Sequence, residues 1–182
     1  VPSAPIVTTP IGVCTGNSGT FVPTPQPSTG FTFWDVPTGG TRIDSGAFYI
    51  TPPIFTSATY YAEAVLGGCA SVTRSAVTFN ALPLPQNPTA LTPPPICQGQ
   101  TVTITPDGQP GVVFTYWTDS VAGAQLGTGA SLTLPPQFST FTLYVQAEFA
   151  STGCAAPART PLLISVQQAP ALPRSEERRV GK

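Results

Sequence analysis

A chain that states the same pattern twice is constrained to fold one plan twice, and this chain does so. Cys14 and Trp34 lie twenty residues apart, as do Cys97 and Trp117, and 83 residues separate the two pairs. Shifted by 83, Cys14-Thr15-Gly16 meets Cys97-Gln98-Gly99, and Phe31-Thr32-Phe33-Trp34 meets Phe114-Thr115-Tyr116-Trp117. Gly46-Ala47 meets Gly129-Ala130, Pro52-Pro53 meets Pro135-Pro136, and Tyr61 meets Tyr144. Two extra residues then shift the register to 85, so that Cys69 meets Cys154 and Arg74 meets Arg159. A tandem repeat of this kind reads as an array of small domains, a form that serves as spacer or binding surface.

Each copy, at about 80 residues, can close one small core that is marginal alone. A disulfide in each would add roughly 2–4 kcal/mol. Four cysteines allow three connectivities. The pattern that reproduces itself in both copies is Cys14–Cys69 with Cys97–Cys154, and four buried free thiols are the alternative. Disulfides imply an oxidising compartment, hence a secreted or surface protein.

Charge is scarce and unevenly placed. The end Arg174–Lys182, RSEERRVGK, carries six of the fifteen charged residues in nine positions. It resembles the translation of a sequencing adapter and is set apart from the fold. The alternative is a basic tail for an acidic partner. The remainder has Arg42, Arg74 and Arg159 against six carboxylates, with no Lys before the tail and no His anywhere. A nucleic-acid surface needs clustered Lys and Arg, so that class is excluded. No apolar run reaches membrane length, so membrane insertion by these residues is not expected.

The apolar residues alternate with period two between Gly and Pro turn signals, the pattern of half-buried strands. The pattern predicts strands over 20–22, 31–36, 47–50, 58–65 and 76–79, and over 101–105, 112–118, 131–134, 141–149 and 162–166. No segment shows a helical period. The expected fold is all-β, an antiparallel sandwich in each copy. The copies divide as 1–82 and 89–167, joined by the Pro-rich segment 83–88, which is stiff and extended. Residues 168–173 look like the start of another linker, which would fit a third module.

Thr51 to Phe79, TPPIFTSATYYAEAVLGGCASVTRSAVTF, resembles the second half of immunoglobulin-like modules of large extracellular Bacteroidota proteins. The shared marks are Cys14-Thr15-Gly16, Gly39-Gly40, Thr51-Pro52, Thr59-Tyr60-Tyr61, Gly68-Cys69-Ala70-Ser71 and Arg74. The second copy is looser, with Ala122-Gly123, Thr142-Leu143-Tyr144, Gly153-Cys154 and Arg159. The resemblance implies two tandem immunoglobulin-like sandwiches of spacer or adhesive type, in proteins that often end in type IX secretion sorting domains. It implies no catalytic residue, and no cofactor is expected.

The family's Trp position is Phe33 here, and its Tyr position is Trp34. Alternation places Phe31 and Phe33 on one face and Thr32 and Trp34 on the other. Phe33 and Tyr116 therefore face the core, and Trp34 and Trp117 the outside.

Without His, no Ser-His-Asp or Cys-His arrangement can form. The carboxylates Asp35, Glu63 and Glu148 are not preserved between copies, so a glycosidase pair is not supported. The cysteines lack zinc spacing and no loop has calcium-hand spacing. That leaves Trp34 and Trp117 as candidate contact residues: outward aromatics that stack on a sugar ring, or else cover the edge of their own sandwich. Tyr61 and Tyr144 are read as structural, with the hydroxyl tied to backbone. Arg74 and Arg159 are read as bonding loop carbonyls or a carboxylate. Asp119-Ser120-Val121 resembles a Bacteroidota O-glycosylation acceptor at Ser120, in a predicted turn. Asn87-Pro88-Thr89 is blocked as an Asn sequon by Pro88.

These features together predict a non-catalytic extracellular repeat region, a stalk or adhesive surface in a larger protein. The expected partners are neighbouring modules, with a polysaccharide or cell-surface protein as further candidates. The alternative is a carbohydrate-binding module that targets a secreted enzyme to its polymer.

Overall fold

The computed structural model describes residues 1–27, 29–89 and 92–168. The tail from Arg174 and all of 168–173 beyond Gln168 lie outside the described residues. The chain divides into two compact units, Val1–Leu84 and a second that begins at Pro85. The boundary falls inside the expected linker, and Gln86–Pro88 are held by the second unit. Thr160 Oγ1 donates to the Pro88 carbonyl at 2.9 Å, and Ala158 N to Asn87 Oδ1 at 3.3 Å.

The first unit is a sandwich of unequal sheets. Its strands are β1 (Ile11–Cys14), β2 (Thr20–Phe21), β3 (Gly30–Trp34), β4 (Arg42–Gly46), β5 (Tyr49–Ile50), β6 (Ala58–Leu66), β7 (Cys69–Ala70) and β8 (Ser75–Leu82). The larger sheet runs β1-β8-β6-β3-β4, with β7 beside β6, and the smaller pairs β2 with β5. The second unit has β9 (Ile96–Cys97), β10 (Gln100–Ile104), β11 (Val112–Trp117), β12 (Gln125–Gly129), β13 (Leu132–Gln137), β14 (Phe141–Phe149), β15 (Thr160–Ile164) and β16 (Val166–Gln167). Here β12-β11-β14-β15 form the larger sheet, β10 pairs β13, and β9 pairs β16. The described residues are all-β, as expected.

Alternation decides what each strand buries. Phe31 and Phe33 on β3 face inward with Ala62 and Ala64 on β6 and with Val77 and Phe79 on β8. Small alanines on the central strand leave room for a chain of rings. Phe21 meets Phe33 edge-on at 5.5 Å, Phe33 stacks on Tyr49 at 5.6 Å, and Tyr49, Tyr60 and Phe79 continue it. Such contacts add to the burial of the rings. The second core is mostly aliphatic: Val102, Ile104, Leu134, Leu143, Val145, Leu162 and Ile164 surround Phe114 and Tyr116. Tyr116 is fully buried, and among the described residues its hydroxyl has no hydrogen-bond partner. The loss of water on burial pushes its pKa up to about 12.

The strands that pattern reading missed carry little apolar signal. β4 reads Arg-Ile-Asp-Ser-Gly and β12 reads Gln-Leu-Gly-Thr-Gly, both largely solvent-facing. They form because a tight turn returns the chain to the free edge of β3 or β11. β1 is recruited to the opposite edge of the larger sheet by parallel pairing with β8, and β9 forms a separate parallel pair with β16.

The expected pairings Cys14–Cys69 and Cys97–Cys154 are not formed. Cys69 and Cys97 are exposed free thiols, whereas Cys14 and Cys154 are disulfide-bonded. The register shows why. Cys14 lies opposite Leu82, at the pole where the first unit's chain leaves. Cys69 lies opposite Leu66, in the hairpin beyond the Ala62–Ser75 pair, at the other pole. At about 3.3 Å per residue the two are roughly 35 Å apart along the sheet. A disulfide spans at most about 7 Å between Cα atoms. In the second unit Cys97 lies opposite Gln167, while Cys154 follows the far end of β14, where Phe149 N donates to its carbonyl at 2.9 Å. The repeat correctly makes the cysteines equivalent, but equivalence does not make them neighbours.

Candidate functional site: an arginine clamp on each tryptophan

The outward face of β3 and β6 carries one arrangement, and β11 and β14 carry it again. Trp34 follows Thr32 on the same face, and its Nε1 donates to Thr32 Oγ1 at 3.1 Å. Trp117 Nε1 donates to Thr115 Oγ1 at 2.9 Å. The guanidinium of Arg74 lies over the Trp34 ring at 3.7 Å from its centroid, and that of Arg159 over Trp117 at 3.8 Å. Both tryptophans are therefore half-buried, each with one ring face covered by a cation.

The same guanidinium closes the turn beyond the tryptophan. Arg74 NH1 donates to the carbonyls of Val36 at 2.8 Å and Gly39 at 2.7 Å. Arg159 NH1 donates to Asp119 at 2.8 Å and Ala122 at 2.7 Å. These acceptors correspond under the 83-residue shift. The turn itself needs glycine: Gly40 has φ 71° and Gly123 has φ 87°, a region that other residues seldom enter. A Cβ at Gly40 would also strike the Val36 side chain. Asp35 Oδ1 accepts from Thr41 N at 2.8 Å and ties the turn from its other side.

Each guanidinium also meets one polar side chain on the central strand. Arg74 Nε lies 3.8 Å from Glu63 Oε1, and Thr32 Oγ1 donates to Glu63 Oε2 at 3.2 Å. In the other copy the partner is Gln146, whose Oε1 accepts from Arg159 Nε at 3.5 Å and whose Nε2 donates to the Ala156 carbonyl at 2.8 Å. A neutral acceptor serves in one copy and a carboxylate in the other, so the arrangement needs an oxygen and not a charge. Asp35 and Glu63 are thus engaged in holding loops. Beside Arg74 a groove of about 400 Å³ is lined by Pro37, Thr38, Gly39, Glu63, Val72 and Thr73.

Tyr61 and Tyr144 stand directly across from Trp34 and Trp117. Among the described residues their hydroxyls make no hydrogen bond to backbone, contrary to expectation. The residues that sequence reasoning missed here are Thr32 and Thr115. They recur under the repeat at outward positions, which was the available signal.

Ser120 lies in the exposed turn between β11 and β12. Asp119 Oδ1 accepts from Val121 N at 3.0 Å and weakly from the Ser120 hydroxyl at 3.4 Å. The backbone N–H of Val121, with that of Ala122, holds the Asp119 carboxyl below its ordinary pKa. Among the described residues no three His, Cys, Asp or Glu side chains gather as a metal site would require, and no helix is long and apolar enough to cross a membrane.

The architecture is shared with known folds. The fibronectin(III)-like modules of Clostridium thermocellum CbhA superpose with a TM-score of 0.50 at 16% identity, over 90% of this chain and 94% of that one. The FN1–FN3 domains of chicken CNTN1 match at 0.49 and 12% identity, over 90% of this chain and 69% of that one. At 16% identity the likeness to the CbhA modules concerns the fold alone. No curated protein matches the chain. The family described as "Ig-like domain CHU_C associated" matches twice, at residues 2–83 and 85–167, and the chain belongs to that Ig-like family as a tandem of two of its domains.

Proposed function

We propose that this tandem is a non-catalytic spacer in a secreted or cell-surface protein, with its outward aromatics serving the modules themselves. The observation that carries this reading is the arginine clamp. In both units the outward tryptophan is covered on one face by a guanidinium that also fastens the adjacent turn. A sugar-binding tryptophan offers a free ring face, and a strut does not. The disulfide-bonded state of Cys14 and Cys154 supports an oxidising, extracellular setting. Ser120, exposed in a turn, remains a candidate glycosylation position on such a surface.

Affinity electrophoresis of the chain against a panel of soluble polysaccharides tests the proposal. A spacer migrates without retardation in every gel. Retardation that is lost in Trp34→Ala and lost further in the double variant with Trp117→Ala would replace this reading with the carbohydrate-binding one, because linked weak sites act by avidity.

A further inference from the structure

The smaller sheet of the first unit has an outer face that its repeat equivalent does not share. Phe21 and Tyr49 on β2 and β5 point into the core, so Thr20, Val22, Phe48 and Ile50 point outward. The register Thr20–Ile50 and Phe21–Tyr49, carried on by one pair, sets Val22 beside Phe48. Thr24 N donates to the Ile6 carbonyl at 2.9 Å, which lays Ile6 along the same face. Ile6 is 67% exposed, Val22 61%, Phe48 52% and Ile50 53%.

The second unit supplies the control. Its β10 and β13 keep the same register, with Thr103 opposite Thr133 and Ile104 opposite Leu132, and Asp107 N donates to the Thr89 carbonyl at 3.1 Å. Under the 83-residue shift Ile6, Val22, Phe48 and Ile50 meet Thr89, Thr105, Ser131 and Thr133. All four of these are exposed hydroxyl residues. The fold therefore accepts a polar outer face here, and nothing in sheet formation asks for an apolar one. Four apolar side chains gathered on one face mark a contact surface, where the same four scattered singly would not.

We propose that this face of the first unit is a self-association surface, and that its partner is the same face of a second copy of the chain. Three features favour a copy over an unlike partner. The four residues carry no charge, so two such faces meet without like-charge repulsion and without burying an ion. The face also carries a knob and a hollow. Phe48 follows Ala47 at the rim of a groove of about 250 Å³, lined by Val22, Pro25, Phe31, Gly46 and Ala47. A two-fold axis lets the Phe48 ring of each copy enter the groove of the other, and such an isologous contact closes after two chains. The size fits as well. The four side chains expose on the order of 400 Å², so with a polar rim the pair buries about 1,000 Å², the lower end of specific interfaces. The contact is therefore weak and reversible. It goes beyond the spacer reading and does not depend on it.

The test is sedimentation velocity on the whole chain, under reducing conditions, at concentrations from micromolar to millimolar. The sedimentation coefficient of the unmodified chain is expected to rise with concentration toward that of a dimer and no further. A variant carrying the second unit's own residues, Ile6→Thr, Val22→Thr, Phe48→Ser and Ile50→Thr, should weaken the association about tenfold or more. These positions are exposed and the repeat already accepts the replacements, and circular dichroism checks that the fold is kept. Ile50→Glu alone sets two like charges across the two-fold axis and should abolish the dimer. Thr133→Glu, at the equivalent place in the second unit, should leave it unchanged. A chain that stays monomeric throughout, a dimer that survives the four substitutions, or equal effects of Ile50→Glu and Thr133→Glu would each overturn the proposal. None of these outcomes bears on polysaccharide retention, so failure here leaves the spacer reading standing.

Discussion

Tyr116 occupies the position that Phe33 holds in the other unit, and its hydroxyl is a buried polar group without a partner among the described residues. Such a group costs roughly 1–3 kcal/mol. Tyr116→Phe is therefore expected to be neutral or to stabilise the second unit by about 1 kcal/mol in urea melts. The elevated pKa adds a pH signature. In the unfolded chain a tyrosine ionises near 10. Between about pH 10 and 12 the unfolded state has lost the proton that the folded state keeps, so stability falls as pH rises through that window. The Phe variant should lack that share of the alkaline loss. The arginine clamp makes a second residue-scale prediction. Arg74→Ala loses the ring contact and two carbonyl bonds, and should destabilise the first unit by roughly 1–3 kcal/mol. Arg74→Lys should recover less than half of that, because an ammonium neither lies flat on the indole nor spans two carbonyls as a planar fork does. Glu63→Gln should cost about 1 kcal/mol or less, since the amide keeps an acceptor oxygen for the guanidinium and Gln146 fills the same place in the second unit. A larger loss in thermal melts would show that the charge matters after all.

At the scale of the strand, register is what separates Phe33 from Trp34. Phe33 is fully buried in the aromatic core, so Phe33→Ala should cost about 3–5 kcal/mol. Trp34→Ala should cost less, roughly 1–2 kcal/mol, for the cation–π contact and partial burial. Equal losses in the two variants would mean that β3 is seated one residue out of register. This inside–outside assignment was legible in the sequence because Phe-x-Phe in one copy and Phe-x-Tyr in the other each alternate with Thr-x-Trp. β4 and β12 were not legible, because an edge strand facing water needs no apolar alternation. Arg74 and Trp34 could each be singled out from the repeat, but not their contact: they are forty positions apart, and only the pairing of β3, β6 and β8 brings them together. The cysteine pairing failed for a related reason. Repetition reports which positions are equivalent, whereas partnership depends on which pole of the sandwich each position occupies, and that follows from strand lengths and direction.

At the scale of the whole chain, each unit closes its own core and makes its own edge pairings. Residues 1–84 and 85–168, produced separately, should each fold with a cooperative melt, and a half that stays unfolded alone would refute that autonomy. The two units nevertheless differ in how their terminal strands are joined. In the first, β1 runs parallel to β8 over four residue pairs, Ile11–Phe79 to Cys14–Leu82. In the second, β9 runs parallel to β16 over two pairs, Ile96–Val166 and Cys97–Gln167. A unit pulled by its two ends loads such a parallel pair along the strands. Its backbone hydrogen bonds must then rupture together in shear, instead of opening one after another like a zipper. Tensile strength should accordingly follow the length of that short lap joint: in single-molecule stretching the second unit is expected to give way at lower force than the first, a built-in mechanical fuse in an otherwise repetitive chain.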